Sequence, residues 1–303
     1  MDEDCAEGVL LGLACGDALG RPVEFKSASA IEDKYGRLTE MEGYGTWNQP
    51  AGTLTDDTDQ ALCIARSLVE CGHFNPADVA DRFVRWAEQG PFDMGRMTKR
   101  SISKLQQGSS WDEAGREVWE STQEGGNAGN GSVMRCAPLA IAYSEDDESL
   151  AEVSRQSSLI THADPRCQEG CVVLNLTIAG ILRGDDAPLS HALEFVENEA
   201  PEELLNALSP IANGEIPDSL RTSGYVIYTL QTALHDALTA ENAEEAIITT
   251  VNRGGDTDTI GAVTGALAGA RFGASALPHR WLVEIEERTE IGKLALKLQK
   301  IEL

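Results

Sequence analysis

Two acid-headed helical patterns constrain this chain more than any other feature. Residues 53–62 read TLTDDTDQAL and residues 254–270 read GGDTDTIGAVTGALAGA. In each, D-T-D runs directly into small or apolar residues at helical spacing; after the first, Ala61, Ile64, Ala65 and Leu68 mark one face. A single acid near a helix N-terminus is favourable because it meets the positive end of the dipole, and Thr55 or Asp56 suits the N-cap. Asp56, Asp57 and Asp59 together exceed what a cap requires, and neighbouring carboxylates repel one another. The two heads are either independent caps on a solvated surface or two halves of a cation site. If they meet, Asp56, Asp57, Asp256 and Asp258 converge with the hydroxyls of Thr55 and Thr259. Four carboxylates cannot stay ionised side by side without added positive charge, and two divalent cations would nearly neutralise them. An all-oxygen donor set suits Mg²⁺, Mn²⁺ or Ca²⁺ rather than zinc or copper, and neither segment has the spacing of an EF-hand loop.

The rest of the chain reads as helix. Alternating β-branched and aromatic runs are nearly absent, whereas helical spacing recurs at 6–19, 60–70, 77–89, 97–107, 148–161, 167–183, 189–197, 202–208, 221–239, 243–251, 258–271 and 279–288. Glycine-rich loops separate several of these, at 36–54, 124–132 and 252–256. No low-complexity linker divides the chain, so residues 1–303 are expected to form one compact, all-α domain. Only 5% of residues are aromatic against 42% apolar, which makes the core mainly aliphatic. Gly261, Gly265 and Gly269 recur within one helical pattern. Each costs about 1 kcal/mol in a helix interior, so either another helix or a ligand must approach closely there.

Charge narrows the partners. With 50 acids against 24 bases and a formal charge of −26, and without a basic cluster, neither a nucleic-acid backbone nor an anionic membrane is the expected partner. The most apolar stretch, near 259–270, is too short to span a bilayer and is stopped by Arg271. Acids rather than bases precede the first apolar run, so that run reads as a mature helix and not a signal peptide. Seven cysteines without a C-x-x-C fit a reduced, cytoplasmic protein. Cys167 and Cys171 lie one turn apart but lack histidine partners at zinc-ligand spacing.

The combination GLACGDALGRPVEF, LTDDTDQAL, PFDMGRMTKR, GNAGNGSVMRCAPLA, THADPRC and NRGGDTDTIGAVTGALAGA, running in order from about residue 8 to 273, resembles the ADP-ribosylglycohydrolases. The resemblance implies an orthogonal all-α fold with a cleft holding a binuclear Mg²⁺ or Mn²⁺ centre. It implies Thr55, Asp56, Asp57, Asp256, Asp258 and Thr259 as metal ligands, with Glu24, Asp57 and Asp258 as the catalytic carboxylates, and it leaves Asp59 outside the ligand set. Asn127, Asn130, Gly131, Ser132 and Met134 match the loop that holds ADP-ribose, His162 a histidine near the phosphates, and Asp93 an acid beside the substrate in arginine-directed members. Some serine-directed members carry an aromatic where Ala128 stands, so adenine must stack elsewhere here. The implied activity is metal-dependent cleavage between ADP-ribose and a modified protein side chain, arginine-type favoured, or another ADP-ribose conjugate. The competing expectation is a non-catalytic ADP-ribose-binding or crystallin-like structural protein on the same scaffold.

Overall fold

At the centre of the molecule the N-terminal helix Glu3–Gly20 lies antiparallel to the helix Thr257–Phe272. Glycines make this possible. Gly8, Gly12, Gly16 and Gly20 recur every fourth position on the first helix and face Gly269, Gly265, Gly261 and Thr257 on the second. A Cβ built on Gly12 would lie 2.1 Å from the Gly265 carbonyl oxygen, and one on Gly265 would lie 1.9 Å from that of Gly12. The two backbones therefore touch, as small residues at four-residue spacing permit, and close backbone contact gains dispersion energy that offsets the glycine entropy cost. The repeated glycines at 261, 265 and 269 accommodate another helix.

The same register fixes where the helix ends fall. Gly20 at the end of the first helix meets Thr257 at the start of the second, whose hydroxyl donates to the Gly20 carbonyl at 2.8 Å. Glu24, four residues further on, is thereby delivered to the head of Thr257–Phe272. The helices Pro165–Arg183, Val226–Thr239 and Ala243–Val251 pack on the central pair, and Asp56–Cys71 reaches both of its members.

The computed structural model describes residues 2–123 and 125–301; residue 124, first of the expected 124–132 loop, lies outside them, as do residues 1, 302 and 303. Among the described residues the chain is all-α, with sixteen α-helices, three short 3-10 turns and three isolated β-bridges in place of a sheet. No helix among them is long and apolar enough to cross a membrane.

Boundaries differ from the periodicity in places. The pattern at 279–288 resolves into a single turn, His279–Leu282, and a separate helix, Arg288–Leu298, because Ile285 turns inward between them and is buried. Residues 221–225 are not helical, since the Thr222 carbonyl accepts from Asp256 N and Val226 N donates to the Ala128 carbonyl rather than within a helical turn. Three helices lack a legible apolar period: Ala28–Tyr35 buries Ile31 alone, Ala137–Ala142 is buried on all sides, and Trp111–Glu120 is announced only by its Ser110/Glu113 capping box.

Candidate metal and substrate site

The two acidic helix heads meet. Thr55 is the N-cap of Asp56–Cys71, its hydroxyl accepting from Asp57 N at 3.3 Å. Beneath it stands Asp17, fully buried on the N-terminal helix, which accepts from Thr55 N at 3.1 Å and from the amide and hydroxyl of Thr58. Asp17 thus satisfies the first orphan amides of the neighbouring helix. Across the gap, Gly254 and Gly255 adopt φ of +75° and +84°. That left-handed pair turns the chain so that Asp256 starts the helix Thr257–Phe272. Asp57 then joins the heads: Thr55 Oγ1 donates to one carboxylate oxygen at 2.8 Å and Thr259 Oγ1 to the other at 3.0 Å.

The other acids are held from the sides. Asp256 accepts from Asn130 Nδ2 at 2.8 Å, which ties it to the glycine-rich loop. Asp56 accepts from Gln60 Nε2 at 3.3 Å and from Gly95 N at 3.4 Å; Gln60 in turn accepts from the buried guanidinium of Arg135. Glu24, Asp93 and Asp258 each place a carboxylate oxygen within 4.8 Å of the others, so that they could share a metal ion. Glu24 also accepts from the indole N–H of Trp47.

These acids are nearly inaccessible, with Asp56 at 7%, Asp57 at 1% and Asp258 at 2% of full exposure. The ion pairs of the described residues lie elsewhere, so neither Lys nor Arg neutralises them directly. Burial raises the Asp56, Asp57 and Asp258 carboxyls well above the ordinary carboxylate range, and the mutual repulsion of the acids adds to it. Asp256 is raised by burial as well. Burial and the charge of Asp93 push Glu24 up to about 8, while burial and Asp256 push Asp93 up to about 6. A cluster of buried oxygen donors missing positive charge is what hard divalent cations fit, so the residues present suit such ions.

Two buried arginines shape the surroundings. Arg21 spends its donors on four backbone carbonyls, those of Thr53 at 3.0 Å, Tyr44 at 3.1 Å, Glu42 at 3.3 Å and Pro50 at 2.8 Å. It anchors the loop that carries Trp47 and leads into Thr55. Arg135 packs over the Phe83 ring at 4.4 Å and donates to Thr161 Oγ1 at 2.7 Å, placing a cationic charge behind Asp56.

A cleft of about 600 Å³ opens over the acids. Glu24, Asp56, Asp93, Asp256, Asp258 and Thr259 line one side, whereas Thr55 and Asp57 lie beneath it. Asn130, Gly131, Met134 and His162 line the cleft as well, with Asn130 in direct contact with Asp256. His162 supports the loop from below: a Cβ on Gly131 would lie 2.7 Å from its ring. Burial and the charge of Arg135 lower its pKa to about 3, so the imidazole is neutral, with Nδ1 bonded to Thr161 Oγ1 at 2.7 Å. Asn127 and Ser132 face away from the cleft. The Asn127 side chain accepts from Arg166 at 3.3 Å in an adjoining hollow, and the Ser132 hydroxyl meets Ser158 at 2.9 Å behind the loop. Asp59 does not line the cleft and accepts from Trp86 Nε1 at 2.9 Å.

Asp17, Phe25, Trp47, Tyr225, Arg21 and Arg135 are site residues that the motifs do not assign. Asp17 and Arg135 lie inside quoted motifs, where a charge within an apolar or buried run was the available signal. Trp47 and Tyr225 belong to loops whose positions depend on contacts remote in sequence, and carry no local signal.

The family model described as ADP-ribosylglycohydrolase matches residues 2–302. The chain is 32% identical to the ADP-ribosyl-[dinitrogen reductase] glycohydrolase of Rhodospirillum rubrum, over 95% of this chain and 92% of that one. It is 30% identical to the ADP-ribosylarginine hydrolase Tri1 of Serratia proteamaculans, over 97% of this chain and 79% of that one. A solved structure, titled ADP-ribosylglycohydrolase-related protein complex, superposes with a TM-score of 0.84 at 35% identity, covering 99% of both chains. With a matching profile over nearly its whole length and a matching fold, this chain belongs to the ADP-ribosylglycohydrolase family.

Proposed function

We propose that this protein hydrolyses the glycosidic bond between the distal ribose of ADP-ribose and a modified side chain, with arginine as the favoured acceptor, using two Mg²⁺ or Mn²⁺ ions. The observation that carries the reading is the set of buried carboxylates, none in an ion pair, converging from two helix heads in a cleft that a glycine-rich loop also lines. The name and activity of the relatives support the substrate class.

When bound, the cations would supply positive charge to hold the ribose hydroxyls and to activate water. Thr55, Asp56, Asp57, Asp256, Asp258 and Thr259 would hold them, and Asp93 lies close enough to Asp258 to take part. The protein's own contribution is orientation and proton transfer. Asp57 is locked by two threonine hydroxyls, so its oxygens cannot swing away. Glu24 sits buried among the acids at the cleft, its carboxylate oriented by Trp47, and is suited to take a proton from the attacking water or give one to the departing group. The glycine loop offers backbone amides to the diphosphate, and Arg96 is the one cationic side chain lining the cleft among the described residues. Tyr225, on the wall beside Gly129, offers the adenine a ring face in place of the aromatic missing at Ala128.

The test is ADP-ribose release from arginine- and serine-linked conjugates with Mg²⁺, with Mn²⁺ and after chelation. Release from the arginine conjugate that disappears on chelation is the expected result. No release from any conjugate, with ADP-ribose still bound in calorimetry, would favour the binding-protein reading.

A further inference from the structure

The cleft has an aromatic rim that neither the metal site nor the ADP-ribose loop uses. Three non-glycine residues of the described chain have positive φ: Phe25 at 62°, Tyr44 at 68° and Asn48 at 53°. Phe25 follows Glu24, and Tyr44 and Asn48 bracket the short turn Gly45–Trp47 whose Trp47 bonds to Glu24. A bulky residue at positive φ is an outlier that costs on the order of 1–3 kcal/mol and persists where surrounding structure over-determines it. At Phe25 that structure is a short ladder. Phe25 N donates to Gly255 O at 2.7 Å, and Gly255 N donates to Lys26 O at 2.8 Å. The strained backbone turns the Phe25 ring outward at the cleft, where it remains 68% exposed in a protein that buries most of its large apolar side chains.

Trp47 meets this ring edge-on, with centroids 6.4 Å apart and planes at 65°, and on its other side packs against Phe92 at 5.9 Å. Phe92 immediately precedes Asp93, whose carboxylate comes within 4.8 Å of those of Glu24 and Asp258. Aromatic faces and carboxylates thus border one opening, on the Glu24 side of the acids. A planar cation gains from both: its charge meets the acids and its face stacks on the rings, a combination that a guanidinium uses better than a compact ammonium or a neutral hydroxyl.

We propose that Phe25 and Trp47, with Phe92 as the buttress of Trp47, form the subsite that holds the guanidinium leaving C1″. The proposal rests on the hydrolase reading for the word leaving, but the binding it describes can be measured separately. Agmatine, a guanidinium carrying no ADP-ribose, is the probe. It binds the wild-type protein in calorimetry and competes with ADP-ribosyl-arginine. Phe25→Leu weakens agmatine binding and raises KM for ADP-ribosyl-arginine by about tenfold each, while free ADP-ribose binds within about twofold of wild type. Phe25→Tyr, which keeps the ring, restores both. Because Phe25 is exposed, the leucine variant is expected to fold; Trp47→Phe, which keeps a ring but removes the bond to Glu24, should lower kcat more than agmatine affinity. Agmatine binding without hydrolysis of arginine conjugates would sustain the subsite and sink the proposed function. Hydrolysis of those conjugates with agmatine affinity and KM unchanged in Phe25→Leu would sink the subsite alone, as would failure of agmatine to bind wild type.

Discussion

Asp57 and Thr259 stand 202 positions apart in the chain, yet the threonine hydroxyl donates to the aspartate at 3.0 Å. That bond closes the gap between two helix heads, and Thr55 holds the other oxygen of the same carboxylate. The acid that joins both halves of the site is therefore held at both of its oxygens.

Replacing Asp57 by Asn removes a charge while keeping the shape. Hydrolysis should fall by roughly 100-fold or more, because cation binding loses a ligand. In chelator the same variant should be no less stable than wild type, since a buried carboxylate repelled by its neighbours has gone. Thermal unfolding in EDTA alongside turnover in Mg²⁺ checks both halves; a collapse of stability in EDTA would mean that Asp57 is a structural residue.

Asp258→Asn and Asp59→Asn separate site from scaffold. The first should abolish activity and weaken Mg²⁺ binding in calorimetry, whereas the second should leave activity within about threefold, since Asp59 only receives the Trp86 indole. Equal losses in both would break the assignment.

Glu24→Gln should lower kcat by roughly 10²–10⁴-fold, the usual contribution of a positioned acid or base. ADP-ribose affinity should change little, because the Glu24 side chain bonds to Trp47 and not to the loop that would hold the diphosphate. Full turnover in this variant would remove Glu24 from proton transfer.

The pH dependence of stability has a definite sign. Glu24, pushed up to about 8, and Asp17 and Asp93, pushed up to about 6, retain protons in the folded state that the unfolded chain has already released above about pH 4. The native state binds more protons, so stability falls as pH rises from about 4 to 8. Cations offset the exposed repulsion between carboxylates, so the gain in Tm from Mg²⁺ over EDTA should be larger at pH 8 than at pH 5. An equal or smaller gain at pH 8 would show that the ions do not bind at these acids.

The central helix contact is tested by one substitution at two glycines. Gly265→Ala puts a Cβ 1.9 Å from the Gly12 carbonyl oxygen and should destabilise by about 1–3 kcal/mol or more. In Gly292→Ala the new Cβ meets only Glu7 at 3.6 Å, so helix propensity should stabilise by up to about 1 kcal/mol. Chemical denaturation of the two variants should move in opposite directions.

Much of this was local and therefore legible. The helical period, the two D-T-D heads and the excess of acid over cap requirements are written within single helix turns, and they pointed to an all-α fold and to convergent carboxylates. The motif resemblance named the family from the same residues. What sequence could not decide was which carboxylates share space and which side chains face the cleft. Asp17 and Arg21 lie in a buried helix and turn, and their partners, Thr55, Thr58 and the carbonyls of residues 42–53, are fixed only by how distant segments pack. Asn127 and Ser132 sit in the right loop but point elsewhere, because side-chain direction within a turn is set by its tertiary anchors, here Gly224 and Val226. Periodicity and charge pattern are properties of neighbours in the chain. The cleft is a property of the glycine-lined helix crossing, which sets one register among many and brings Glu24 to Asp258.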